Sequence, residues 1–287
     1  MQRVVTSKTR ASLVSDLRTR VREHRLAIYA SAIAFRAIVA LIPLALLALG
    51  LLGALGLEST WKDSIAPAIE PRVTRPVFHG IDYSATKILS SGTAGLIAFA
   101  TALAVWDLAI AVAAIMNALN RIHDVEERRS PLRRAVTAVA LAIAVAVFVI
   151  GAALVVTVAP RAGGALHVLL GLGRWLVAPL LLAFVVGLLV RLAPAERPEK
   201  RWASAGSILV IAVWVGASLL FKLWIVYVAN FKSPIGSLTG LLILTTYVFV
   251  SAAIFLIGAE LDELVRKQTH GRGVSLFDLA RAVVGRD

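Results

Sequence analysis

The chain contains no cysteine, which removes disulfides, thiolate zinc sites and cysteine nucleophiles together. Histidine is scarce too. The five present, His24, His79, His123, His167 and His270, are widely scattered, and no pair has metal-ligand spacing, so no hydrolytic metal centre is expected. No phosphate-binding GxxxxGK[ST] loop, GxSxG nucleophile elbow or GxGxxG dinucleotide fingerprint occurs. ATP-driven and classical hydrolase chemistry are therefore disfavoured, and no catalytic residue, metal site or cofactor is predicted. Charge is also thin, at 16% of residues, where a soluble domain carries about 25%.

Apolar residues fill the gap: they make up 59% of the 287 residues, and mean hydropathy is +0.84. That excess needs lipid around it. Apolar runs recur along most of the chain, each long enough to cross a hydrocarbon core of roughly 30 Å at about 1.5 Å per helical residue. The expected fold class is all-α, a polytopic integral membrane protein with six transmembrane helices. The spans are predicted at about Leu26 to Leu57, Gly92 to Leu119, Ala135 to Val158, Trp175 to Ala193, Ala203 to Val228 and Leu238 to Ala259. They form a transmembrane domain over 26–265, between a basic N-terminal segment, 1–25, and a C-terminal tail, 266–287. The first apolar stretch is too long and too late for a cleaved signal peptide and is expected to stay as a helix.

The formal net charge of +13 does not describe a nucleic-acid binder, because the basic residues lie between apolar runs and not along one solvated face. They read as a topology signal. Segments 1–25, 120–134, 191–202 and 260–287 hold 21 of the 30 Lys and Arg, against 7 in segments 58–91, 159–174 and 229–237. Positive residues flanking spans are retained inside, so both termini are expected in the cytoplasm, with the bilayer as main partner. The basic segments also suit anionic lipid, worth roughly 1 kcal/mol per residue, although topology determination alone accounts for them. Segment Glu58 to Ser91 has four charges of each sign and no span-length run, and is expected to be an extramembrane loop with short helices.

A few polar residues fall where lipid makes them costly. Asp107 lies mid-span, where a charged side chain costs roughly 2.5–3.5 kcal/mol. It is either a proton or cation site in a polar cavity or a structural hydrogen bond or ion pair within the bundle. Arg36 is expected to snorkel to the headgroups, with an inward turn to a carboxylate as the alternative. Glu260, in the run Gly258-Ala259-Glu260-Leu261, marks the exit of span six, as an ion-pair partner or a solvated helix end. Lys222, beside Trp224 and Tyr227, reads as an interfacial anchor. Pro43 and Pro179 inside spans are candidate kinks. Gly50, Gly53 and Gly56 at every third position permit close helix packing.

The order and wording of the spans resemble the YihY/virulence factor BrkB family over about Leu26 to Val265. Ala34-Phe35 with Leu41-Ile42-Pro43-Leu44 is similar to the family's opening pattern, with Arg36 where an aromatic is usual and Ala40 where Ser is usual. Met116-Asn117-Ala118-Leu119-Asn120-Arg121 followed by Glu126-Glu127-Arg128 resembles its Asn-Arg and Glu-x-Arg turn, which brings Asn117, Asn120 and Arg121 among the candidate polar residues. Leu192-Ala193-Pro194 and Gly206 fit, as do Tyr227-Val228-Ala229-Asn230-Phe231 and Gly236-Ser237-Leu238, with Ile235 replacing a usual Tyr. Gly258-Ala259-Glu260-Leu261 matches the family's closing string. The resemblance implies a six-helix protein of the bacterial inner membrane, associated by name with resistance to host killing and often suspected of transport, with an older ribonuclease label on some members.

Transport of a solute or lipid through a path lined by spans one, two and six is the first functional expectation, supported by Arg36, Asp107, Glu260 and the intraspan prolines. A non-transporting scaffold for envelope assembly, working through segment 58–91 and the basic termini, is the alternative. An enzyme acting on RNA or lipid would need an acid, base and nucleophile set that these residues do not offer. Substrate, direction, coupling ion and oligomeric state are not written in the sequence.

Overall fold

A computed structural model describes residues 7–91, 94–158, 184–195, 205–227 and 234–268. Among the described residues every regular element is helical. Helix α1, Ser7–Glu23, ends at His24, whose amide N–H reaches the Arg20 carbonyl at 2.8 Å, and Arg25 then turns the chain through the left-handed region at φ 53°. Helix α2, Leu26–Ala54, runs unbroken through Pro43, so the proline leaves the Val39 carbonyl without its helical partner but does not end the helix. Short turns of helix over Glu58–Thr60, Trp61–Ile65, Ala66–Ile69 and Glu70–Arg72 lead to α3, Arg75–Ser91.

Helix α4 is Ala94–Ile122, and α5 is Pro131–Val158. Helix α5 begins four residues before the predicted span, because Ser130 caps it: its Oγ accepts from the Arg133 amide at 3.3 Å, and Pro131 occupies the first turn. Helix α6 covers 184–192, α7 is Ala205–Tyr227 and α8 is Pro234–Gln268. The predicted fourth span is described only in its second half; its first half, with Pro179, lies outside the described residues, as does most of the C-terminal tail.

Among the described residues four helical stretches are long and apolar enough to cross a membrane, Leu26–Ala54, Ala94–Ile122, Pro131–Gly151 and Leu242–Leu264, with a shorter apolar one at Ala212–Ile225. The centre of the bundle is the contact of α2 with α4. On α2 the buried residues Leu26, Ala30, Ile33, Ala40, Leu44 and Leu47 recur at steps of four, three and, once, seven, and Ala104, Leu108, Ala111, Ile115, Ala118 and Ile122 on α4 alternate steps of four and three. Two seams of this period pack at a shallow angle, and the alanines let the backbones approach closely. The outer faces carry exposed Ile28, Phe35, Ile42, Trp106, Val147, Leu220 and Leu242. The polar groups His24, Asp107, Asn120, Glu260 and Glu263 are buried instead. Large apolar side chains outside and charges inside suit a hydrocarbon surround.

Two of the three spaced glycines answer to tight contacts. A Cβ on Gly53 would stand 2.5 Å from the Leu89 carbonyl oxygen, so α3 lies backbone to backbone against α2 there. On Gly50 it would meet the movable Ile97 side chain at 2.8 Å. Gly56 instead supplies a turn at φ +67°. A second small core of Leu52, Trp61, Ala66, Ala85 and Leu89 ties α3 down, and Trp61 Nε1 donates to Asp82 Oδ1 at 2.8 Å.

Candidate functional site

The polar residues gather in three places. The first is within the bundle, where Arg36 Nη1 stands 3.5 Å from Asp107 Oδ1. Arg36 is two and a half to three turns into α2, about 15 Å from its start at Leu26, too deep for its guanidinium to need the headgroups once a carboxylate faces it. The expected snorkelling therefore gives way to the inward alternative. The Asp107 side chain is 12% exposed and that of Arg36 38%, with the guanidinium 5.8 Å from the Phe35 ring centroid. A mid-span carboxylate is made tolerable by this partner.

The second place is the bundle end where α1 stops, α4 stops and α8 continues past its apolar stretch. Seven side chains run there as one file. Arg20 Nη1 lies 3.6 Å from Glu260 Oε1, and His24 Nδ1 is 2.7 Å from Glu260 Oε2. His24 Nε2 faces Asp124 Oδ1 at 3.9 Å, and Lys267 Nζ donates to Asp124 Oδ2 at 2.6 Å. Lys267 also stands 3.5 Å from Glu263 Oε1, whose Oε2 meets His123 Nδ1 at 2.9 Å. Glu260 and Glu263 are 0% and 1% exposed; carboxylates so deep need partners. The Lys267 hydrogen bond, with the charges of Lys267, His24 and Arg20 behind it, outweighs partial burial and lowers the Asp124 pKa below the usual carboxylate range. Asp124 is thus a fixed anion on the far side of His24.

The local chain explains the geometry. His24 and His123 each terminate a helix, with amide N–H groups bonded back to Arg20 and Leu119, and each is followed by a non-glycine residue in the left-handed region, Arg25 at φ 53° and Asp124 at φ 54°. The reversal aims both rings at α8, where Glu260 and Glu263, three residues apart, share one helix face.

The third place joins the turn after α4 to the end of α6. Arg129 clamps Glu127 through Nε to Oε1 and Nη2 to Oε2, both 2.7 Å, and Arg129 Nη2 also reaches the Ala193 carbonyl at 2.9 Å. Asn120 Nδ2 donates to Glu127 Oε2 at 3.0 Å, while its Oδ1 accepts from the Ala195 amide at 2.7 Å. The Arg129 side-chain hydrogen bonds, with those from the Arg129 amide and Asn120, overcome burial and lower the Glu127 pKa to about 2.

Of the residues singled out in the sequence, Arg36 meets Asp107, Glu260 anchors the seven-residue file and Asn120 is a hub. Asn117 is exposed and accepts from Arg134 Nη2 at 2.7 Å. Arg121 is exposed and contributes its carbonyl to the turn. The Glu-x-Arg pair shifts by one residue: Glu127 and Arg129 make the clamp, and Glu126 and Arg128 are exposed. His24, His123, Asp124, Glu263 and Lys267 were missed. Judging histidines only by spacing along the chain hid the signal, which is that two of the five sit where predicted spans meet basic segments. Among the described residues no three acidic or histidine side chains are arranged to hold a metal ion.

The model for the family described as Virulence factor BrkB matches residues 17–277. The chain is 28% identical over 217 residues to the ribonuclease-like protein YfkH of Bacillus subtilis (strain 168), covering 72% of this chain and 78% of the relative. No solved structure matches it. With its span-length apolar helices, inward charges and a match from α1 to beyond α8, the chain belongs to the BrkB virulence factor family and is a membrane protein.

Proposed function

We propose that this protein is a multi-pass transporter or lipid translocase of the bacterial inner membrane, with six spans and both termini in the cytoplasm. Support for a shared side comes from the contacts at one end of the bundle. Arg20 and His24, the turn from Asn120 to Arg129, Ala193 with Ala195, and Glu260 to Lys267 belong to the four Lys- and Arg-rich segments, and they touch one another there.

The observation that carries transport is the Arg36–Asp107 pair. An ion pair held a third of the way along a span, with the arginine side chain 38% exposed, offers a cation to an anionic group passing along α2. A phosphate or carboxylate is the matching chemistry. The test is flux through proteoliposomes bearing labelled phospholipids and a pH-sensitive dye. Asp107→Asn and Arg36→Gln are expected to cut flux at least tenfold while the protein still inserts and purifies as a folded species; wild-type flux in both variants would refute the reading.

The scaffold reading draws on α3, which is pinned by Gly53 and the Trp61–Asp82 bond and exposes Val77, Ile81 and Tyr83. It gains if substitutions on that face abolish function and flux is absent throughout. We read the chain as no enzyme: the ribonuclease word in the name of YfkH asks for an acid, a base and an RNA-accessible site, whereas Glu260 and Glu263, the carboxylates hydrogen-bonded to His24 and His123, are buried. RNA left intact by purified protein is the expected result.

A further inference from the structure

We infer that the bundle end holds a proton-binding site at His24, occupied as an imidazolium bridging Glu260 and Asp124, with His123 as a neutral counterpart. The file runs Arg20, Glu260, His24, Asp124, Lys267, Glu263, His123. Its fixed charges are two cations and three anions. A proton on His24 makes the signs alternate from Arg20 to Glu263. The two rings differ in their surroundings. His24 points one nitrogen at each of two carboxylates, Nδ1 at 2.7 Å and Nε2 at 3.9 Å, whereas among the described residues the buried Nε2 of His123 has no hydrogen-bond partner. A bare lone pair is cheaper to bury there than an unsatisfied N–H⁺.

Protonation forms one N–H bond at His24 Nε2, with the proton taken from water on the exposed side of Asp124, whose side chain is 61% accessible. Its loss sets that lone pair against the Asp124 oxygen and leaves Glu260 with Arg20 at 3.6 Å and a neutral donor. Imidazole changes charge in the range pH 5 to 8. The file ties α1 and the turn after α4 to α8, so the site works as a clasp that closes on proton uptake and loosens on release, whether or not the spans conduct a cargo. Among the described residues, the charged groups facing His24 are Arg20 on α1, Asp124 in the turn, and Glu260 and, through Asp124, Lys267 on α8.

Two measurements on the full chain in lipid nanodiscs test this. Nitrogen-15 spectra of labelled histidine, assigned with His24→Gln and His123→Gln, should show both His24 nitrogens protonated at pH 6, and one protonated and one bare nitrogen on His123. Since the chain has no cysteine, spin labels at Ser15→Cys on α1 and Glu126→Cys in the turn report one distance. A single population is expected at pH 6 and a second, longer one at pH 8.5. The longer population should be present at both pH values in His24→Gln, and the pH response should persist in His123→Gln. A neutral His24 at pH 6, or a wild-type distance unchanged between pH 6 and 8.5, would overturn the proposal.

Discussion

Asn120 uses both ends of its carboxamide on other segments, giving an N–H to Glu127 and taking one from Ala195. Because one partner accepts and the other donates, its orientation has no equivalent flip. Asn120→Ala would leave the Ala195 amide and a Glu127 oxygen each short of a bond, at a cost of about 1–3 kcal/mol. Asn120→Asp would keep the acceptor but oppose a second carboxylate to Glu127. Both variants are expected to unfold at lower temperature than wild type, read by thermal scanning in detergent. Glu127 sets a pH window of its own. Its folded pKa is lowered from 4.5 to about 2, so its contribution is complete above pH 4.5 and fades as pH falls through 2. The stability gap between wild type and Glu127→Gln should therefore be widest above pH 4.5 and narrow steadily on acidification toward pH 2.

Among the elements, α3 has the tightest seat. Gly53 admits the Leu89 carbonyl where a methyl group would stand 2.5 Å from it, and a backbone neighbour yields less readily than a side chain. Gly53→Ala should cost about 1–3 kcal/mol and raise protease sensitivity over Arg75–Ser91, while Gly50→Ala, which meets only Ile97, should cost less. The existence of the long helices was legible in the sequence because twenty or so apolar residues in a row leave no other solution in lipid. Their polar extensions were not: α8 continues to Gln268, past the end set by hydropathy, and those extra turns place Glu263 and Lys267. The glycine spacing was read correctly as close packing at Gly50 and Gly53 but not at Gly56, which turns the chain instead, and nothing in the spacing says that Gly53 meets Leu89 of the same chain.

For the molecule as a whole, the charge count along the chain and the contacts at the bundle end point the same way. Single cysteines placed in segment 1–25, at Glu126 and in segment 269–287 should react with a membrane-impermeant maleimide only after intact cells are opened, whereas one at Lys62 should react from outside the inner membrane; the reverse pattern would invert the proposed orientation. Asp107 was visible in the sequence as an anomaly, and its partner was not, because Arg36 lies 71 residues away and the pairing follows from how α2 meets α4. Of the seven-residue file only Glu260 stood out in the sequence, because the other members are ordinary residues until three helices converge.

That convergence bears on biogenesis. His24 and Glu260 are separated by 236 positions, so the imidazole at the end of α1 meets its carboxylate only after all the spans between them have been made. A nascent or truncated product carries Arg20 and His24 unmatched, and a product whose final helix fails to dock carries Glu260 and Glu263 stranded at the lipid boundary. Completion of the file thus requires the helix carrying Glu260 to have docked against the end of α1.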